Sequence, residues 1–172
     1  MISKSFNISR RRFLKVSAAV TAASGLPGWF VDREMAEAAP ALKTLGPNDK
    51  PGIALVGCGG QGTGDCNAAK RFGNVLAVCD VDDKHAEAAV KKFTIEGKEA
   101  PAKYNDFRKV MERDDIHAII TGTPDHWHTF VNLAAIKAGK DIYSEKPLTL
   151  TIDEGKRLVK AVKDYRRIIY GL

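Results

Sequence analysis

The sequence predicts an α/β fold, a doubly wound parallel sheet in a single domain, and three observations predict it. Apolar runs of strand length alternate with helical segments from residue 53 onward. The first run is continuous rather than alternating, as in a strand buried on both faces. It ends in a glycine cluster of the kind that turns a strand into a helix. Strands alternating with helices mean a parallel sheet covered on both sides.

The elements follow in order. Ile53-Ala54-Leu55-Val56 is the first strand, and Gly57, Gly59, Gly60, Gly62 and Gly64 form the turn. Asp65 to Phe72 reads as a helix, Val75 to Cys79 as a second strand, and Asp82 to Phe93 as a helix capped by Asp82 or Asp83. Asn105 to Arg113 is a short helix behind an Asn/Asp cap, with Phe107, Val110 and Met111 at helical spacing. Ala118 to Thr121 is the next strand, counted as the fourth. Asp125 is expected to cap a helix running to Lys137, with Phe130, Leu133, Ala134 and Ile136 as its apolar stripe and Gly139 as its end. Asp141 to Ser144 is a fifth strand, Asp153 to Tyr165 a helix, and Arg167 to Tyr170 starts a sixth strand.

A chain of 172 residues, 44% hydrophobic and 28% charged, can bury one core and is not of the disordered class. The formal charge of +6 falls half on the first 38 residues, so the body is nearly balanced and no nucleic-acid partner is assigned. Cys58, Cys66 and Cys79 show neither CxxC nor metal-ligand spacing and read as small buried hydrophobes.

Ser9-Arg10-Arg11-Arg12-Phe13-Leu14-Lys15, a mildly apolar stretch to Phe30 and then Ala36-Glu37-Ala38 follow the charged, apolar, small-residue order of an export signal. The SRRxFLK string resembles the twin-arginine signal at each consensus position. The resemblance implies a signal peptide over 1–38, recognition by the twin-arginine export machinery and a periplasmic or extracellular destination. Gly25, Pro27 and Gly28 interrupt the run short of the ~18–20 apolar residues of a membrane span, so no stable span is expected. Residues 39–51, rich in proline, read as a linker to a folded body over 52–172.

Gly57-Cys58-Gly59-Gly60-Gln61-Gly62 satisfies GxGxxG between a strand and a helix, the context of a Rossmann-type dinucleotide site. The first glycine permits the tight turn, the second lets backbone approach a pyrophosphate, and the third lets helix and strand pack closely. Asp80, 18 residues after Gly62, closes the second strand where a carboxylate can accept from both ribose hydroxyls. A 2′-phosphate there would meet like charge, so NAD is favoured over NADP. The same turn and acid could serve S-adenosylmethionine, and the later strands decide between them. Thr123-Pro124-Asp125-His126-Trp127-His128 and Glu145-Lys146-Pro147 follow the fourth and fifth strands, at the sheet edge where such folds bind ligands.

With the glycine loop, these two strings resemble the Gfo/Idh/MocA oxidoreductases over about residues 51 to 170. The resemblance implies that Lys146 lies beside nicotinamide and substrate and polarises the reacting hydroxyl or accepts its proton. It also implies a cis bond before Pro147. Pro124, His126, Trp127, His128 and Glu145 are implied to border the nicotinamide and its ribose, with Thr123 and Pro147 counted among the cofactor-binding residues. His126 and His128 do not share a face and have no third ligand near, so no metal is expected. His85 and His117 read as structural.

Members of the family continue into an α+β domain that walls the substrate and often forms the subunit interface. That domain is expected to be missing here, through fragmentation or truncation, with doubt for catalysis by this chain alone because substrate and cofactor must be held together. The leading expectation is an exported NAD-dependent dehydrogenase of a sugar, inositol or related polyol. A non-catalytic dinucleotide-binding module is one alternative. An NAD-dependent glycosidase is another, against which Lys146 argues.

Overall fold

The computed structural model describes residues 42–171, so the export signal and the first linker residues lie outside the described residues. From Gly52 the chain alternates without exception: β1 (Gly52–Val56), α1 (Gly60–Ala69), β2 (Asn74–Cys79), α2 (Asp83–Phe93), β3 (Ala102–Tyr104), α3 (Phe107–Met111), β4 (Ala118–Thr121), α4 (Asp125–Lys137), β5 (Asp141–Ser144), α5 (Ile152–Tyr165) and β6 (Ile169–Gly171). The six strands form one sheet in the order β3-β2-β1-β4-β5-β6. Every neighbouring pair is parallel. The chain winds outward from β1 through β3, then returns to β4 on the other side. The crevice outside the carboxyl ends of β1 and β4 is therefore the topological switch point.

The continuous apolar run of β1 is explained by its neighbours. Ile53 and Leu55 join Cys66 of α1 and Ala89 and Phe93 of α2 on one face. Ala54 and Val56 join Val110 of α3, Val131 and Ile136 of α4, and Leu158 of α5 on the other. All three cysteines are free and buried, as their spacing suggested. Asp82 caps α2 by accepting from the Lys84 amide, and Asp106 caps α3 by accepting from the Arg108 amide. A capping box between Thr151 and Glu154 starts α5.

Four expectations are corrected. The helix expected from Asp65 starts at Gly60, inside the glycine cluster, and ends at Ala69. Helix propensity places glycine in turns, but at Gly62 the close fit to β1 and to the end of β4 selects it. The unmarked third strand is Ala102–Tyr104, a three-residue edge strand with Lys103 exposed, too short to leave a pattern. Pro124, not Asp125, is the N-cap of α4, and no side chain caps that helix. The buried face of α4 carries His128, Val131, Asn132, Ala135 and Ile136, whereas Phe130 is 59% exposed. Polar residues occupy that face because the sheet supplies partners: Thr121 Oγ1 donates to Asn132 Oδ1 at 2.9 Å, and Asn132 Nδ2 to Ser144 Oγ at 2.9 Å.

Candidate dinucleotide site

The carboxyl ends of the parallel strands gather the sequence-marked strings along one edge. Gly57 follows β1, Asp80 follows β2, Thr123-Pro124 follows β4, and Glu145-Lys146-Pro147 follows β5. Gly57 turns the chain at φ +91°, a conformation that disfavours side chains. A Cβ there would also stand 2.5 Å from the backbone of Gly122 and Thr123. At Gly62 a Cβ would stand 2.3 Å from the Gly57 carbonyl oxygen, and at Gly122 it would stand 2.4 Å from Gly62 Cα. Gly122 was not singled out from the sequence. Its only signal is its position at the end of the fourth strand.

Gly59 and Gly60 differ from these, because a Cβ on either would meet nothing within 4 Å. The space above them is open, and Gly59 caps α1 without any side-chain hydrogen bond. The first amides of α1 therefore face outward, an arrangement suited to phosphate oxygens.

Asp80 follows β2 with both carboxylate oxygens engaged. Its Oδ2 accepts from the Cys58 amide at 2.7 Å and its Oδ1 from the Asp82 amide at 2.9 Å, which fixes the carboxylate against the glycine loop. A carboxylate has about four lone-pair directions, so acceptor capacity remains. Beside it lies a cleft of about 280 Å³ walled by Gly57, Asp80, Val81, Phe107, Thr123, Pro124 and Trp127 among others. Thr123 Oγ1 is closed off from solvent and has no hydrogen-bond partner among the described residues. An open cradle, outward amides, a fixed carboxylate and an orphaned hydroxyl fit an adenine dinucleotide.

Sequence reasoning missed the third wall of that cleft, Asn105 to Arg108. Asn105 Nδ2 donates to the Asp80 carbonyl oxygen at 3.0 Å, so the segment is tied to the carboxylate's own residue. It follows β3, the strand that left no pattern. Trp127, 46% exposed, packs edge-on against Phe107 and Phe130. Its neighbour His126 is exposed.

His128 is positioned differently from His126 and Trp127. It is buried, with Nδ1 2.7 Å from the Pro147 carbonyl oxygen and Nε2 2.7 Å from that of Thr123. Both ring nitrogens are used to join the β4 and β5 turns, so neither is offered to the cleft. His117 is structural as expected: its Nδ1 accepts from the Gly52 amide at 3.1 Å.

The Lys146-Pro147 bond is cis, as the resemblance implied. Lys146 is exposed, and its ammonium has no hydrogen bond among the described residues. Glu145 is buried and accepts from Gln61 Nε2 at 2.8 Å and from the Lys146 amide at 3.1 Å. Burial works to raise its carboxyl, but the bond from Gln61, the Asp65 carboxyl beside it and the Lys146 amide outweigh it and hold the group below the usual range. Asp65, read from the sequence only as a helix start, has its carboxyl pushed up to about 6 by burial and by Glu145.

Comparison with known proteins gives a consistent result. Residues 52–171 match the model of the Gfo/Idh/MocA group, described as an oxidoreductase family with an NAD-binding Rossmann fold. Residues 7–27 match the twin-arginine translocation pathway signal sequence. A glycosyl hydrolase family 109 protein of Shewanella pealeana is 30% identical over 88% of this chain and 36% of its own length. An inositol 2-dehydrogenase of Salmonella paratyphi B is 34% identical over 51% of this chain and 25% of its own. Among solved structures, the WlbA dehydrogenase from Bordetella pertussis in complex with NADH and UDP-GlcNAcA has a TM-score of 0.64 at 21% identity. The match covers 72% of this chain and 37% of that one, and shows the fold. The chain spans about a third of the length of the relatives it matches.

Proposed function

The chain belongs to the Gfo/Idh/MocA oxidoreductase family and has its NAD-binding Rossmann fold, and from that premise we propose that it serves an exported, NAD-dependent dehydrogenase of a sugar, inositol or related polyol. The observation that carries this reading is the convergence of the glycine loop, Asp80, the Thr123 to Trp127 turn and Glu145-Lys146-Pro147 along one sheet edge. Residues 1–38 serve as the twin-arginine signal, which suggests export, to the periplasm or beyond. Residues 39–51 are the linker and 52–172 the nucleotide-binding domain.

Each residue has a task in this scheme. Gly59, Gly60 and the first amides of α1 hold the pyrophosphate. Asp80 accepts from the ribose hydroxyls and disfavours a 2′-phosphate. Thr123, Pro124, His126 and Trp127 border the nicotinamide half, and His128 joins their turn to that of Pro147. When bound, the dinucleotide supplies a hydride acceptor. Lys146 has its ammonium free to polarise a substrate hydroxyl or take up its proton, while Gln61 and Glu145 hold its turn.

Calorimetry tests the binding half: NAD binds more tightly than NADP, and Asp80→Ala narrows the difference. Equal affinity of the unaltered chain for both would overturn the ribose assignment. In enzyme carrying the family's substrate domain, Lys146→Ala loses turnover and keeps cofactor; unchanged turnover would remove the lysine from the mechanism. The family 109 relatives favour a second reading, an NAD-dependent glycosidase. Lys146 opposes it. Release of a free sugar from a glycoside, without net change in NADH, would decide for it.

A further inference from the structure

Asp65 of α1 and Glu145 of the β5 turn bring two carboxyls together across the seam between those elements. Gln61 Nε2 spans them, donating to Asp65 Oδ1 at 3.3 Å and to Glu145 Oε1 at 2.8 Å. Glu145 Oε2 accepts from the Lys146 amide. The remaining oxygen, Asp65 Oδ2, is closed off from solvent and has no hydrogen-bond partner among the described residues. Two ionised carboxylates in contact repel, and a buried oxygen without a partner forfeits its hydration. A single proton removes both penalties. Bound to Asp65, it turns the orphaned oxygen into a donor and leaves the pair with one charge.

We propose that Asp65 is a positioning residue for Lys146: it holds one proton shared with Glu145, and this proton latches the Glu145-Lys146-Pro147 turn to α1. The consequence for catalysis rests on the role given to Lys146 above; the latch itself does not. The other titratable groups around the pair are Cys66 one residue on in α1, Tyr143 on β5, which burial and both carboxyls keep protonated, Tyr170 stacked on it from β6, Lys146, and His128 at the Pro147 carbonyl. Burial and Glu145 push the Asp65 carboxyl up to about 6, so the latch is closed below that value. Above it, two full charges face one another with only Gln61 between them. The turn is then held on this flank by the Gln61 bond alone and by His128 on the other.

The test follows carboxyl and amide resonances of the cofactor-free chain through a pH titration, in the unaltered chain, Asp65→Asn and Asp65→Ala. In the unaltered chain the Asp65 carboxyl and the Lys146 amide are expected to shift together, with a midpoint near pH 6. Asn supplies a permanent donor, so in Asp65→Asn the Lys146 amide stops titrating there and stays protected from exchange. In Asp65→Ala its exchange accelerates about tenfold, the loss expected for one hydrogen bond to a charged group. Titration of Asp65 in the ordinary carboxylate range would overturn the latch, as would equal exchange in the Asn and Ala variants. None of these readouts involves turnover, so an inactive role for Lys146 and an absent latch give different results.

Discussion

Replacing two glycines of the same loop with alanine should separate folding from binding. At Gly62 the new methyl would lie 2.3 Å from the Gly57 carbonyl oxygen, more than 1 Å inside an ordinary contact, and the obstacle is backbone. Overpacking of a tight interior costs about 1–3 kcal/mol, and an immovable neighbour places this case near 3 kcal/mol. For a domain of this size that is roughly a 10 °C fall in Tm, out of a total stability of about 5–15 kcal/mol. At Gly59 the backbone is extended, with φ −65° and ψ −179°, and the methyl meets nothing within 4 Å. Stability should therefore change by less than about 0.5 kcal/mol. The methyl stands where the proposed site brings backbone to a pyrophosphate, so NAD affinity should fall at least about tenfold, or 1.4 kcal/mol. Thermal denaturation and calorimetric titration of both variants supply the four numbers. Equal melting temperatures, or full affinity in Gly59→Ala, would refute the division of roles.

Burial pushes the thiols of Cys58, Cys66 and Cys79 up to about 12, so a thiol reagent at about pH 8 should label none of them in the native chain. All three should react once the chain is denatured. Lys140 is fully buried, its ammonium donating to the Arg113 carbonyl at 2.6 Å and that of Ile116 at 2.8 Å. Lys140→Met leaves both carbonyls short of a donor and should lower unfolding free energy by about 2–4 kcal/mol, read from urea denaturation. The raised Asp65 carboxyl contributes stability that is complete below its unfolded value of 3.8 and is lost as pH rises through about 6. Asp65→Asn should therefore gain stability relative to the unaltered chain between about pH 4 and 7, and parallel stability curves would contradict that sign.

What the sequence made legible was local. A strand of four apolar residues, a glycine cluster and an acid at the next strand end lie within thirty residues of one another, and each states its own geometry. The pairing of Gln61 with Glu145 joins residues 84 apart and exists only because β1 and β5 flank β4. No periodicity could have revealed it. The α4 face was misjudged for a related reason: Thr129 and Asn132 look solvent-facing until Glu154, Thr121 and Ser144 are brought opposite them, and His128 until the Thr123 and Pro147 carbonyls are. The cleft wall at Asn105 to Arg108 went unseen because it depends on a strand of three residues.

The contact of Gly57, Gly62 and Gly122 also bears on how such a protein could change. Three elements meet there with no side chain between them, so the junction beneath the glycine loop has no adjustable parts: any substitution adds bulk against main chain. Variation is confined to the rim, where Val81, Arg108, His126 and Trp127 are exposed and can be exchanged without disturbing the sheet. Divergence in this lineage, or redesign at the bench, would have to proceed from the edge of the cleft inward and halt at those glycines.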